Sequence, residues 1–400
     1  MAEPLATLTS GTAEIVPRDG LEAKLALDRP LRVKLGLDPT APAVTLGWAV
    51  VLRKLRQFQD LGHIAVLIVG DFTARVGDPS GKSETRPQLS KDEVDDYAER
   101  LLEQFRSVLS DEHLEVRRNS EWLEPMDMEA ILHLTSSTTV ARMLERDDFA
   151  KRYESRQPIS LTEFMYPLLQ GYDSVAVGAD VELGGTDQLF NLLVGRDLQR
   201  DADQDPQVAL TMPLLEGLDG VLKMSQSLGN YVGVAEPADE QFGKLMSIPD
   251  GLIIRYLRLT TDLDPADVDA IEAGMADGSL PAIEAKRRLA REIVDRYHGA
   301  GEGAAAEARF DRVHRDRELP RDVPETPIPG EALEDGRIWL PRLLVALGRA
   351  ASNGEARRLV EQGGVRLDGE VVDDPSREMP PEELRGRVLQ VGRRWFARLV

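Results

Sequence analysis

The 400-residue sequence has no cysteine, so disulfides, thiol nucleophiles and thiolate metal sites are excluded. Histidine is nearly as scarce. His63, His113, His133, His298 and His314 lie far apart without ligand spacing, and each reads as a surface or satisfied core residue. Aromatic residues make up only 5%. No long apolar run exists: the longest, Ile64–Val69, is far too short to span a bilayer. Residues 1–11 lack the basic start and apolar stretch of a secretory leader. A soluble, cytoplasmic protein without membrane association is therefore expected. No repeat is visible at periods of about 20–50 residues.

The composition, 42% hydrophobic and 30% charged, is that of a globular chain of two or three domains. The net charge of −21 argues against nonspecific nucleic-acid binding by the whole molecule. The charge is uneven, however. Residues 337–400 hold 12 arginines, no lysine and nine carboxylates, a net +3 that leaves −24 on the rest. A mildly basic tail fits local contact with RNA, and equally fits a near-neutral tail on an acidic body.

Leu31–Leu37 reads as a buried strand and Leu46–Leu61 as a helix, with Val50, Val51, Leu55 and Phe58 near helical spacing. Ile64–Val69 is a strand, and Asp71–Arg86 a polar loop with Gly and Pro. Ser90 and Glu93 form a capping box before a helix over Val94–Leu109. Leu114–Arg117 is a short strand. This alternation predicts a parallel sheet with crossover helices. Residues 120–170 read as a mostly helical insertion. Ser174–Ala179 and Val208–Met212 read as later strands, with a helix over Asp187–Arg200 between them. The expected organisation is a Rossmann-like α/β domain over 1–230, a helical domain over 231–298, a partly ordered linker over 299–336 and a small α/β module over 337–400.

Four polar motifs stand at predicted turns. Gly36-Leu37-Asp38-Pro39-Thr40 follows the first strand, where open parallel sheets bind ligands, and the helix from Leu46 points its N-terminus there. Gly77-Asp78-Pro79-Ser80-Gly81-Lys82-Ser83 resembles a phosphate-binding P-loop, but Val76 stands where the first glycine is required and Pro87 interrupts the following helix. Lys82 and Arg86 remain candidates for pyrophosphate contacts. Tyr166, Gln170 and Asp173 share one helix face, a set suited to a small zwitterion bearing a hydroxyl. Gly184-Gly185-Thr186-Asp187-Gln188 adds a second polar cluster. Lys223-Met224-Ser225-Gln226-Ser227 is a Lys/Ser loop of the kind a phosphate clamp needs. Taken singly, each fits an ordinary turn or solvated face as well.

Taken in order, these motifs resemble the catalytic domain of bacterial tyrosyl-tRNA synthetases, class I enzymes. Leu343, Leu344, Gly348, Ala350, Ser352, Glu355-Ala356-Arg357-Arg358-Leu359, Gly363-Gly364-Val365 and Asp368-Gly369 resemble an S4 RNA-binding domain. The resemblance spans residues 30–400. It implies activation of L-tyrosine by ATP, with Mg2+ travelling on the nucleotide, and transfer to tRNA(Tyr) by a homodimer. By motif position, Asp173 would read the phenol, and Tyr166, Gln170 and Asp78 would hold the amino group. Thr73 and Gln188 complete the tyrosine set. Gly36, Asp38, Gly47, Trp48, Gly185 and Asp187 would line the nucleotide. Thr40, Thr45, Lys82, Arg86, Lys223 and Gln226 would serve the chemistry, and Arg349, Ser352, Arg357 and Arg358 the RNA. No protein metal site is implied.

Ala74, Arg75 and Leu222 depart from the family pattern, and three departures fall in its signature motifs. Its H-x-G-H reads Thr45-Leu46-Gly47-Trp48 here, and its K-M-S-K-S reads Lys223-Met224-Ser225-Gln226-Ser227. Loss of one oriented transition-state donor typically costs about 10²–10³ in rate, so slow or absent adenylation beside a complete tyrosine pocket is expected. Trp48 is expected to fill or stack on part of the adenine space. The alternatives to a working ligase are a diverged paralogue that binds tyrosine or tRNA, and an S4-type RNA-binding protein on a dimerisation scaffold.

Overall fold

The computed structural model describes residues 2–79, 89–314, 323–334, 336–392 and 395–400. They form two compact units, Met1–Gly303 and Ala304–Val400.

The first unit is built on six strands: β1 (Glu14–Val16), β2 (Arg32–Leu37), β3 (Ile64–Val69), β4 (Leu114–Arg118), β5 (Val181–Gly185) and β6 (Val208–Met212), in spatial order β1-β6-β5-β2-β3-β4. Five run parallel, and β1 closes one edge antiparallel to β6. From β2 the chain winds outward through β3 and β4, then returns to lay β5 on the other side of β2. The order therefore reverses between β2 and β5, where doubly wound sheets bind ligands beyond their carboxyl ends. Asp38, Gly70, Asn119 and Thr186 each follow directly on one of those ends.

The crossover helices follow the sequence patterns. Helix Leu46–Asp60 buries Leu46, Ala49, Val50, Leu52, Leu55 and Phe58, and Phe58 and each leucine contribute about 1.5–3 kcal/mol. Helix Lys91–Phe105 opens with the Ser90/Glu93 capping box and buries Val94, Ala98, Leu101 and Phe105. The insertion after β4 is helical, ending in helix Leu161–Val177 with its own capping box at Ser160/Glu163.

Two expectations are corrected. Ser174–Ala179 is not a strand: helix Leu161–Val177 continues through Val177 and stops at Gly178, whose φ of 57° is left-handed. β5 begins only at Val181. The valines at 175 and 177 gave a strand-like pattern, but the turn residue that decides the matter is Gly178. Within the expected linker 299–336, an Ala-rich stretch forms helix Glu302–His314, in keeping with alanine's helix propensity. The polar loop after β3 also contains a short helix, Thr73–Val76. Helices Ala238–Ser247, Ile253–Thr260, Pro265–Asp277 and Ala282–His298 complete the first unit's helical part. No helix among the described residues is long and apolar enough to cross a membrane.

The second unit carries a five-stranded sheet ordered Glu370–Val371, Val365–Leu367, Val388–Val391, Trp395–Leu399 and Glu325–Thr326, and a three-stranded one. Leu343, Leu344, Ala356, Val360 and Val365 from the predicted module form its core.

One buried ion pair joins the elements around the switch point. Lys34 on β2 and Glu182 on β5 are almost fully buried, with Nζ 2.9 Å from Oε1. Nζ also donates to the Gln170 carbonyl and Ser174 Oγ on helix Leu161–Val177, so all three ammonium protons have acceptors. Removing one partner of such a pair leaves an uncompensated charge. Lys34→Met is expected to cost about 3–5 kcal/mol in denaturant unfolding, and adding Glu182→Gln should recover part of it. Equal midpoints for the variant and the parent chain would show that the pair does not hold these elements.

Candidate functional site

Asp38, just past β2, gathers the first group. Its Oδ2 accepts from Tyr166 Oη at 3.0 Å and its Oδ1 from Thr73 Oγ1 at 2.7 Å. Asn119, just past β4, donates to Thr73 Oγ1 at 2.9 Å and to Asp173 Oδ2 at 3.4 Å. The Trp122 indole donates to Asp173 Oδ1 at 2.8 Å. Close approach requires Gly70: a Cβ there would lie 2.1 Å from Asp38 Oδ1 and 2.4 Å from Thr73 Oγ1. Gly36, by contrast, has nothing within 4 Å of where its Cβ would stand, so the backbone before Asp38 borders open space.

A second group lies on the β5 side. Gln188 Nε2 donates to Asp78 Oδ2 at 2.9 Å, and Arg146 approaches Asp78 Oδ1 at 3.4 Å. Asn191 donates to the side-chain oxygens of Gln170 and Gln188 at 3.0 and 2.9 Å, and accepts from Arg146 at 3.0 Å. Tyr166 and Asp173 thus belong to the first network, and Gln170, between them on the same helix, to the second. The network is dominated by carboxylate and amide oxygens, suited to a cationic amine and a hydroxyl donor.

The segment bearing the Lys/Ser loop docks on the chain between Asp38 and helix Leu46–Asp60. Leu46 N–H donates to the Val232 carbonyl, and Val234 N–H to that of Val44. Thr45 is 2% exposed and caps the helix, its Oγ1 accepting from Trp48 N–H at 3.3 Å. Gly47 N–H reaches Met224 Sδ at 3.3 Å. The Gln226 side-chain amide meets the Ala43 peptide on both sides, Oε1 accepting from its N–H at 3.2 Å and Nε2 donating to its carbonyl. Lys223, largely exposed, pairs with Asp187 at 2.7 Å beside Gly185. Lys223 also borders a cleft of about 290 Å3 with Thr186, Leu214, Glu216, Val221 and Arg255.

The Trp48 ring stacks against Phe105 of helix Lys91–Phe105, centroids 6.4 Å apart and planes 21° from parallel. Thr40 lies two residues past Asp38, its N–H on the Asp38 carbonyl. Lys82 and Arg86 lie outside the described residues. In the second unit, Ser352 caps helix Asn353–Glu361, which exposes Arg357 and Arg358, and the Arg349 guanidinium lies 5.1 Å from the Trp395 ring centre. Among the described residues no cluster of His, Cys, Asp or Glu is placed to hold a metal ion. Sequence reading missed Lys34, Asn119, Trp122, Arg146, Asn191 and Arg255. The position of Asn119 after a strand's carboxyl end was a usable signal; the others are brought in by tertiary packing alone.

Burial pushes the Asp38 carboxyl up to about 7, with bonds from Thr73 and Tyr166 opposing and the charge of Asp78 adding. Burial likewise pushes Asp173 to about 7, against the charge of Lys34 and the bonds from Trp122 and Asn119. The Tyr166 phenol is raised well above its usual range by burial and the neighbouring carboxylates. An unfolded Asp titrates near ~4, so between about pH 4 and 7 the folded state holds more protons than the unfolded. The stability contributed by these groups therefore falls as pH rises through that window. Asp173→Asn removes one of them, so the thermal midpoint of this variant relative to the parent should be higher at pH 8 than at pH 5. The same difference at both values would show that Asp173 does not titrate near neutrality.

The sequence matches the family model described as tRNA synthetases class I (W and Y) over residues 26–315, and that of the S4 domain over residues 338–383. It is 54% identical to the tyrosine–tRNA ligase of Moorella thermoacetica over 100% of this chain and 96% of that protein. To the tyrosine–tRNA ligase of Geobacter sulfurreducens it is 51% identical over 100% and 99%. The structure resembles tyrosyl-tRNA synthetase from Archaeoglobus fulgidus complexed with L-tyrosine, with a TM-score of 0.63 at 20% identity over 76% of this chain and 99% of that one. Against the C-terminally truncated mitochondrial enzyme of Aspergillus nidulans the TM-score is 0.64 at 21% identity, over 78% of this chain and 93% of that one. At such identities the structural likeness speaks for the fold, while the sequence matches run the length of the chain: it belongs to the tyrosyl-tRNA synthetases of class I, with an S4 domain following the catalytic part.

Proposed function

We propose that this chain is a tyrosine–tRNA ligase: it activates L-tyrosine with ATP to tyrosyl-adenylate and transfers the tyrosyl group to tRNA(Tyr). The observation that carries the reading is the joining of Asp38, Thr73, Tyr166 and Asp173 into one bonded network at the switch point, in a chain about half identical to such ligases throughout. Asp173, held by Trp122 and Asn119, receives the substrate phenol. Tyr166, Gln170, Gln188, Asp78 and Thr73 surround its ammonium group. Gly36, Asp38, Gly47, Gly185 and Asp187 border the adenylate. Thr40, Lys82, Arg86 and Lys223 face the phosphates, with Mg2+ arriving on the nucleotide.

The tyrosine carboxylate attacks the α-phosphorus, the bond to the bridging oxygen breaks, and pyrophosphate leaves. A hydroxyl at the tRNA 3′ end then attacks the activated carbonyl, and AMP leaves. No protein nucleophile is needed: positioning and cationic stabilisation of the leaving group supply the rate. Thr45, Trp48 and Gln226 provide fewer donors and one fewer cation than the family pattern, which makes adenylation slow.

Tyrosine-dependent exchange of pyrophosphate into ATP tests the reading. It should be measurable, fall about 10²-fold or more in Lys223→Ala, and rise in the triple variant T45H/W48H/Q226K. Absence of tyrosine-dependent exchange together with absence of tyrosine binding would overturn it.

The protein works in the cytoplasm as a homodimer. Exposed Met128, Leu132, Val140, Tyr153 and Leu161 on the inserted helices support the second copy. Leu132→Asp with Val140→Asp should give monomers in sedimentation; an unchanged mass would place the contact elsewhere. Arg349, Ser352, Arg357 and Arg358 contact the tRNA backbone. Arg357→Glu with Arg358→Glu should weaken tRNA binding and flatten its salt dependence by about two counterions, while tyrosine-dependent exchange is retained.

A further inference from the structure

We propose that Gln226 is a positioning residue, a neutral latch that holds the loop Lys223–Gly229 against the chain before helix Leu46–Asp60. The inference rests on the reading of this cleft as the ATP site.

The loop is internally stapled. Asn230 Oδ1 accepts from Ser225 N–H at 2.9 Å, and its Nδ2 donates to the Lys223 carbonyl at 3.3 Å and to Asp219. Asp219 Oδ1 in turn accepts from Val221 and Leu222 N–H, both at 2.8 Å. Backbone bonds from Met224 N–H to the Leu215 carbonyl and from Gly217 N–H to that of Leu222, both at 2.8 Å, also hold this piece on the chain before it. What docks this piece from the side is the pair of bonds between the Gln226 amide and the Ala43 peptide, with Met224 Sδ on Gly47 N–H beside it.

A primary amide is suited to that task because it donates and accepts at once, matching both faces of a peptide. Lysine has three donors and no acceptor, so at position 226 it can reach the Ala43 carbonyl but leaves the N–H unmet. The glutamine thus exchanges a cation for a two-bond contact with Ala43, on a loop whose Lys223 stands 2.7 Å from Asp187. A loop ordered beforehand spends less of the nucleotide's binding free energy on closure.

Hydrogen–deuterium exchange on the free, full-length protein reads the latch directly. Gln226→Ala should raise exchange about tenfold at residues 223–229 and 43–47, leaving the sheet unchanged. In pyrophosphate exchange the same variant should raise KM for ATP about tenfold. Gln226→Lys should raise both KM and kcat, because a cation returns while the latch is lost. Fast exchange of these segments in the parent protein, or a fall in kcat at unchanged KM in Gln226→Ala, would overturn the proposal. If the parent protein shows no tyrosine-dependent activity, the ligase reading fails, and hydrogen exchange alone still decides the latch.

Discussion

The ammonium of Lys34 sits where β2, β5 and helix Leu161–Val177 meet, and the placement of the site follows from its three contacts. Glu182 ties it to β5, while the Gln170 carbonyl and Ser174 hydroxyl tie it to the helix. Asp38 comes four residues after Lys34, Gly185 three residues after Glu182, and Asp173 one residue before Ser174. One dry electrostatic junction therefore sets the relative height of the strand end, the glycine turn and the helix face that carry the site residues. Its charge also opposes the burial that raises Asp173. The junction acts on the chemistry as well as on the fold, at a cost in desolvation that a hydrophobic triad would not incur.

The two sides of the cleft are constructed differently. Around Asp173 and Tyr166 the side chains are buried and bonded to one another, a rigid surface against which a small amino acid can be sized. Around Lys223 they are exposed and attached through a loop. In the proposed mechanism, a buried half for the amino acid and an exposed half for the phosphates suit a two-step reaction in which one substrate stays while pyrophosphate, and then AMP, leaves.

Much of this was legible before the structure. Apolar spacing gave helix Leu46–Asp60, the capping box gave the start of helix Lys91–Phe105, and the spacing of Tyr166, Gln170 and Asp173 gave their common face. These signals are local, set by helical period and by end groups. The strand expected over Ser174–Ala179 failed because valines suit a buried helix end as well as a strand, and only the left-handed Gly178 separates the two. Trp122, Asn191 and Lys34 escaped notice because their roles depend on partners from other elements. The Phe105 partner of the Trp48 ring was not foreseen, because it comes from another helix. The partner of Gln226 lies 183 residues away, beyond any spacing rule.

The contact between Gln226 and Ala43 joins dipoles, with no net charge on either side. Loops closed by an ammonium on a triphosphate loosen as added electrolyte competes for both. An amide seated on a peptide is nearly indifferent to it, so this contact holds over a wide range of ion concentrations, while the exposed Lys223–Asp187 pair beside it is the salt-sensitive one.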